Sequence, residues 1–194
     1  MKGVILAGGL GTRLHPLTRI TNKHLLPVFD RPMIYYPLQA LINAGIHDIL
    51  LVTGGNNAGD FLKLLGNGKG FGLQHLNYTY QEGEGGIAAA LSLAEHFVDG
   101  ERVCVMLGDN IIERNFQASA AKFERGPGGA RILLKAVPDP KRFGVAAFRG
   151  KRIYSLPALS LGFDSVGGFL NNASSLARAS VARWVCGPLD ASGS

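Results

Sequence analysis

The chain has 194 residues, 27 of them glycine, and its 20 Lys+Arg against 14 Asp+Glu give a net charge of +6 and a pI near 9.5. That length suits one domain with a full hydrophobic core, and the basic residues are spread without a tract, which argues against a nucleic-acid partner. The densest basic group, Lys141, Arg142, Arg149, Lys151 and Arg152, reads as a solvated hairpin surface. Cys104 and Cys186 have neither disulfide-framework nor metal-ligand spacing, no apolar run is long enough to span a bilayer, and the N-terminus lacks a signal-peptide pattern. The expectation is a reduced, soluble, cytoplasmic protein with anionic small molecules as partners.

Short β-branched or leucine-rich runs alternate with longer segments of helical periodicity, the pattern of an α/β fold with helices on both faces of a mostly parallel sheet. Lys2 to Ala7 is the first strand. From Met33 to Ala44 the residues Ile34, Leu38, Leu41 and Ile42 form one helical face; Pro37 is tolerable only near the first turn, and Gly45 ends the helix. Asp48 to Val52 is the second strand. The next helix takes Asn57 as N-cap with Asp60 three residues on, and stops at GNG. Leu76 to Tyr80 is the third strand, and Ile87, Leu91, Ala94 and Val98 mark one face of a helix opening at Gly85 and Gly86. Val103 to Leu107 is wholly apolar and reads as a central strand. A helix at Phe116 to Arg125, a strand at Arg131 to Val137, and a hairpin of Val145 to Phe148 with Arg152 to Leu156, turning at Gly150, complete the regular part.

After Ser155 the chain contains no Lys and no Glu, is heavy in Ser, Ala and Gly, and sustains neither period. This divides it into a domain over residues 1–155 and a weakly structured tail over 156–194, in which Leu176 to Val185 is the one stretch with helical character.

The chemistry gathers in GGLGTRLHP, directly after the first strand. Gly8-Gly9-Leu10-Gly11-Thr12-Arg13-Leu14 satisfies neither G-x-x-x-x-G-K-[ST] nor G-x-G-x-x-G. Glycines at the carboxyl end of such a strand still let backbone N–H groups converge into an anion nest, at the edge where open α/β sheets bind ligands. A tight turn alone is the competing explanation. Arg13 and Lys23 carry charge that a triphosphate needs. Asp109 in MLGDN lies on the same edge, where one carboxylate can hold Mg²⁺ while the metal keeps waters and bridges phosphates; otherwise it is a turn-forming Asp before Asn110. The five histidines are scattered and read as bystanders.

GVILAGGLGTRLHPLT, KHLLPVFDRPMIYYPLQALINAGIHDILLVTG, YQEGEGGIAAALSLAEHF and VMLGDNI, in this order and spacing, resemble the sugar-phosphate nucleotidylyltransferases, and within them the thymidylyl branch acting on glucose 1-phosphate. The resemblance runs from residue 1 to about 155. It implies a Rossmann-like nucleotide-diphospho-sugar transferase fold, three-layer α/β/α, here incomplete at the C-terminus. It also implies Mg²⁺ as cofactor, a homo-oligomer, and transfer of dTMP from dTTP to glucose 1-phosphate. The products would be pyrophosphate and dTDP-glucose, a precursor of cell-surface polysaccharide, formed by in-line attack without a covalent intermediate. By the same resemblance Gly8, Gly11 and Thr12 cradle the nucleotide, Arg13 neutralises the β- and γ-phosphates, and Lys23 contacts the phosphates at the reacting centre. Gln81 and Gly86 match the readers of the thymine edge, Asp109 a magnesium ligand, and Gly144 in RFGV a contact to the sugar. The uridylyl, adenylyl and guanylyl branches share the loop and the LGDN element and stay open as alternative donors.

In the family the strand matching RIYSL runs into Glu-Glu-Lys-Pro, whose acid and base hold the sugar phosphate; here Pro157, Ala158, Leu159 and Ser160 follow, and Asp164 comes too early for the family's second metal aspartate. So abrupt a break suggests a reading-frame change or truncation, leaving a donor half intact and an acceptor half missing. The expectation is nucleotide binding with poor turnover. An inactive nucleotide-binding remnant is the second reading, and a Rossmann dehydrogenase is disfavoured because no complete fingerprint precedes an acidic residue at the required interval.

Overall fold

The computed structural model describes residues 1–55, 57–83, 85–127 and 129–133, and the backbone of the strands at 147–149, 152–155 and 184–188. Lys2–Ala7 forms strand β1, buried from Gly3 onwards. Three single-turn 3₁₀ helices, Thr12–Leu14, Leu17–Arg19 and Lys23–Leu25, lead to a two-stranded ribbon of β2 (Pro27–Val28) and β3 (Arg31–Pro32). Helix α1 (Tyr35–Asn43) has Pro37 as its third residue, within the first turn, where a missing amide breaks no intrahelical bond. Then follow β4 (Asp48–Gly54), α2 (Ala58–Leu65), β5 (His75–Gln81), α3 (Gly86–Ser92), α4 (Glu95–Val98), β6 (Arg102–Leu107) and α5 (Gln117–Glu124). A ribbon of β7 (Ala147–Arg149) and β8 (Arg152–Ser155), and β9 (Trp184–Pro188), complete the described elements.

The main sheet has the order β5-β4-β1-β6-β9, parallel except for β9, which runs antiparallel to β6. Alternation along each strand sends its apolar residues to two different cores. Ile5, Ala7, Ile49, Leu51, Cys104 and Met106 pack with Leu38, Leu41, Phe61, Leu65 and Phe123, from α1, α2 and α5. Val4, Leu6, Leu50, Val52, Val103 and Val105 pack with Ala90, Leu91, Ala94 and Val98 from the α3–α4 region on the other face. The three-layer α/β/α architecture follows from that division.

The chain proceeds outward from β1 through β4 to β5, then returns to place β6 on the other side of β1. Between β1 and β6 the winding reverses, and their carboxyl ends splay into the crevice where open α/β sheets bind ligands.

Three expectations need correction, and two more lie partly outside the described residues. The single helix opening at Gly85 and Gly86 is two, α3 and α4, separated where Ala94 N–H closes on the Leu91 carbonyl at 2.9 Å. Asn57 occupies the N-cap position but its side chain makes no capping bond; Nδ2 instead donates to the Ile20 carbonyl and to Asp60 Oδ2, each at 3.3 Å. The apolar strand β6 is interior, as its composition led us to expect, paired with β1 on one side and β9 on the other, while β1 is the middle of the five. The tail contributes β9, so Trp184 and Val185 are extended and not helical, while residues 176–183 lie outside the described residues. The strand expected at 131–137 is described only at 131–133, where Arg131 makes an isolated bridge; of the expected hairpin, Ala147–Arg149 pairs with Arg152–Ser155, and Val145, Ala146, Gly150 and Leu156 lie outside the described residues.

Candidate active site

The carboxyl ends of β1, β4, β5 and β6 bring together most of the residues singled out in the sequence. After Ala7 the chain leaves the sheet through Gly8–Gly11, and Gly11 adopts φ 65° and ψ 31°, a left-handed conformation that side chains resist. Its carbonyl is tied down by Thr18 Oγ1 at 2.7 Å and Leu14 N–H at 2.9 Å. Among the described residues the amides of Gly9, Leu10, Gly11 and Thr12 donate to no protein acceptor, which leaves a row of donors as an anion nest requires. Arg13, next in the chain, is exposed and has no ion-pair partner among the described residues.

Lys23 reaches the same crevice from the third 3₁₀ turn, and its Nζ lies 2.7 Å from Asp109 Oδ2, just past β6. The residues on either side of it hold it there. Asn22 Oδ1 accepts from the His24 amide at 3.0 Å and lies 2.7 Å from His24 Nδ1, while Asn22 Nδ2 donates to the Ala7 carbonyl at 3.4 Å. The His24 ring is 2% exposed and packs so close to Gly108 that a Cβ there would stand 2.8 Å from His24 Cδ2. The segment 22–24 is thereby wedged against the ends of both β1 and β6, and the expectation that all five histidines are bystanders fails for His24, which shapes the site from beneath.

Burial, followed by the neighbouring Lys23 charge, pushes the His24 pKa down to about 3, so the ring is neutral at pH 7. Burial opposes ionisation of Asp109, but the hydrogen bond and charge of Lys23 outweigh it and hold the carboxyl below its ordinary range. Asp109 is an anion at neutral pH.

On the β5 side Gln81 is 8% exposed, and its Nε2 donates to the Gly86 carbonyl at 2.9 Å, so the two residues matched to base reading are in contact. Its Oε1 faces Gly8, where a Cβ would stand 2.7 Å away. Asn110 Nδ2 is buried without a hydrogen-bond partner among the described residues. Gly144 lies outside the described residues.

Among the described residues no three His, Cys, Asp or Glu side chains converge as a metal cage. A single carboxylate beside a row of backbone donors still fits Mg²⁺, which commonly takes one or two protein carboxylates and completes its octahedron with water and phosphate oxygens.

The sequence matches the nucleotidyl transferase family over residues 2–157. The chain belongs to that family. Among its relatives, the glucose-1-phosphate thymidylyltransferase of Neisseria meningitidis is 45% identical over 149 residues, 76% of this chain and 51% of that protein. The enzyme of the same name from Mycolicibacterium smegmatis matches equally, 45% over 149 residues with the same 76% and 51% coverage. The chain thus spans about half the length of the curated relatives it matches. A crystallised Bacillus anthracis protein, assigned as a glucose-1-phosphate thymidylyltransferase and solved with a sucrose, superposes with TM-score 0.82 at 39% identity, covering 97% of this chain and 71% of that one. A UTP-bound UGPase from Acinetobacter baumannii shares the fold, with TM-score 0.71 at 22% identity over 97% of this chain and 74% of that one.

His24, Asn22 and Asn110 are the members of the site that sequence reasoning passed over. Only the Asn two residues before a His, at a turn following the loop, gave any local signal.

Proposed function

We propose that the chain carries the donor half of a glucose-1-phosphate thymidylyltransferase: it binds dTTP with Mg²⁺ and directs dTMP onto the phosphate of glucose 1-phosphate. The observation that carries this reading is the 2.7 Å convergence of Lys23 and Asp109, from separate parts of the chain, beside the glycine loop. The identity to relatives of that name supports it.

In this reaction an oxygen of the sugar phosphate forms a bond to the α-phosphorus of dTTP, and the bond to the bridging α–β oxygen breaks in line with it, releasing pyrophosphate. The groups required are those that place two anions in line and offset their charge. The loop amides at Gly9 to Thr12 hold phosphate oxygens; Gly8 and Gly11 give the backbone its approach; Arg13, which has no ion-pair partner among the described residues, sits on the β- and γ-phosphates; and Lys23 serves the α-phosphate. Gln81, fixed through Gly86, offers Oε1 to the N3–H of thymine, and Asn110 Nδ2, unpaired among the described residues, is a further donor for the bound nucleotide. Gly144 contacts the sugar. Mg²⁺, held by Asp109, would offset charge on the phosphates and the leaving pyrophosphate.

A dTTP-dependent reaction belongs in the cytoplasm, where the nucleotide pool is, and self-association is the assembly that the resemblance implies. Among the described residues no helix is long and apolar enough to cross a membrane. The residues after Leu156 depart from the family's acceptor motif, so turnover is expected to be slow. Two assays on the same preparation test the reading: calorimetric titration with dTTP and Mg²⁺, and pyrophosphate release on adding glucose 1-phosphate. Binding with little release fits the donor-half reading; release with UTP but not dTTP would reassign the base; binding of neither nucleotide would reject it.

A further inference from the structure

Lys23 faces two demands. Its ammonium is wanted by the nucleotide phosphates, yet it rests on Asp109 Oδ2 at 2.7 Å, with both side chains partly open to solvent, 26% and 36% exposed. The stem reaches that position by lying over the glycine loop. A Cβ on Gly11 would meet Lys23 Cβ at 2.9 Å, and one on Gly9 would meet Cε at 3.8 Å and Nζ at 3.9 Å. The lysine therefore fills the space above the loop and occupies a carboxylate oxygen that a cation would use. A divalent cation on that oxygen would stand within a few ångströms of the ammonium, and such like-charge contact is strongly unfavourable where water is partly excluded.

We propose that Lys23 is an internal latch that stands in for the metal, keeping Asp109 from holding a free divalent cation until that cation arrives with nucleotide phosphates that give the ammonium another anionic partner. This rests on the reading of Asp109 as the metal ligand. The Asn22–His24 bracket fixes the backbone on both sides of Lys23, so the exchange is a swing of one side chain and not a loop rearrangement. Its consequence is an order of events: metal and triphosphate bind together, and the metal alone binds poorly. Free cation then does not occupy the site in place of the metal–nucleotide complex.

The test is equilibrium binding of Mn²⁺, followed by its spin-resonance signal without nucleotide, to the whole chain and to K23M, D109N and K63M. Methionine keeps the length of the stem and removes the charge. Lys63 is 83% exposed and among the described residues pairs only with Asp60, at 3.3 Å, so K63M lowers the net charge equally but away from the site. K23M should bind Mn²⁺ roughly one-and-a-half- to fivefold more tightly than the unaltered chain, the range expected on freeing a partly exposed carboxylate from an ion pair. The same variant should bind dTTP with Mg²⁺ more weakly, and this opposition of signs is what a purely structural lysine would not produce. Unchanged or weaker Mn²⁺ binding by K23M, or an equal gain in K63M, would overturn the latch while leaving the proposed function standing. If D109N does not weaken Mn²⁺ binding in the K23M background, both the latch and the metal role of Asp109 fall.

Discussion

Replacing Gly11 with Ala perturbs the loop in two separable ways. The residue sits at φ +65°, where an L side chain costs about 1–2 kcal/mol relative to glycine. The new Cβ would also stand 2.9 Å from Lys23 Cβ and 3.0 Å from Thr18 Cγ2. Lys23 Cβ cannot rotate away, because a Cβ is fixed by its backbone and that backbone is bracketed by Asn22 and His24. Overpacking of this kind typically costs about 1–3 kcal/mol. The sum is roughly 2–5 kcal/mol, which in a chain of this size is about 4–20 °C of melting temperature. If the loop instead escapes by rearranging, the loss appears as nucleotide affinity, by tenfold or more. Urea denaturation with dTTP titration on the same variant reads both. Gly59→Ala is the control: it lies inside α2, a Cβ there meets nothing within 4 Å, and the change should be neutral or stabilising by up to about 1 kcal/mol. A Gly11→Ala variant within 0.5 kcal/mol of the parent, with unchanged dTTP affinity, would refute the loop geometry.

Asp109→Asn retains the shape and removes the charge; since the Lys23 pair is partly exposed, apo stability should change by less than about 1 kcal/mol while Mg²⁺-dependent dTTP binding weakens markedly, as paired thermal-shift and titration experiments would show. Unfolding of that variant would mean that Asp109 is a structural turn residue. The burial of His24 predicts acid lability: its pKa is near 3 when folded against 6.5 in an unfolded chain, so the stability gained by keeping it neutral is complete above about pH 6.5 and is lost as pH falls toward 3. The loss is at most about 5 kcal/mol by linkage, and a His24→Gln variant should show a flatter urea-stability profile between those limits. Pyrophosphate release should run on the order of 10²–10³ below that of a chimera in which Glu-Glu-Lys-Pro follows the RIYSL strand, because one preorganised contact to the acceptor is absent; equal rates would show that the present tail supplies an acceptor site.

The strands were legible because their periodicity reports burial directly, and the exit from the sheet after β1 because its glycines mark a backbone conformation that side chains resist. The break between α3 and α4 was invisible for an instructive reason. Ala90, Leu91, Ala94 and Val98 all remain in one core across it, so the apolar spacing that suggested one helix survives the interruption. Asn57 was misread because capping patterns are local, whereas its side chain serves the Ile20 carbonyl, 37 residues away. His24 was missed because its burial depends on the absence of a Cβ at Gly108, far along the chain, and on the register that sets β1 beside β6. Trp184–Pro188 carries a Gly and a Pro within five residues, too little for a strand period to show, and only its pairing with β6 makes it one. What the sequence could not express was long-range pairing. Lys23 and Asp109 were each singled out from local context, but their contact spans 86 residues and belongs to the fold.

The most direct test of the dTTP–Mg²⁺ site is the melting temperature of the whole chain with and without Mg²⁺ in the presence of dTTP, UTP, ATP, GTP or NAD. Ligand at about a hundred times its dissociation constant stabilises by roughly 2.7 kcal/mol, or about 5–11 °C for a chain of this length. The account predicts a shift of that size with dTTP and Mg²⁺ together, a smaller one without the metal, and none with NAD. No shift with any triphosphate, or one that is the same for every ligand and indifferent to Mg²⁺, would contradict it.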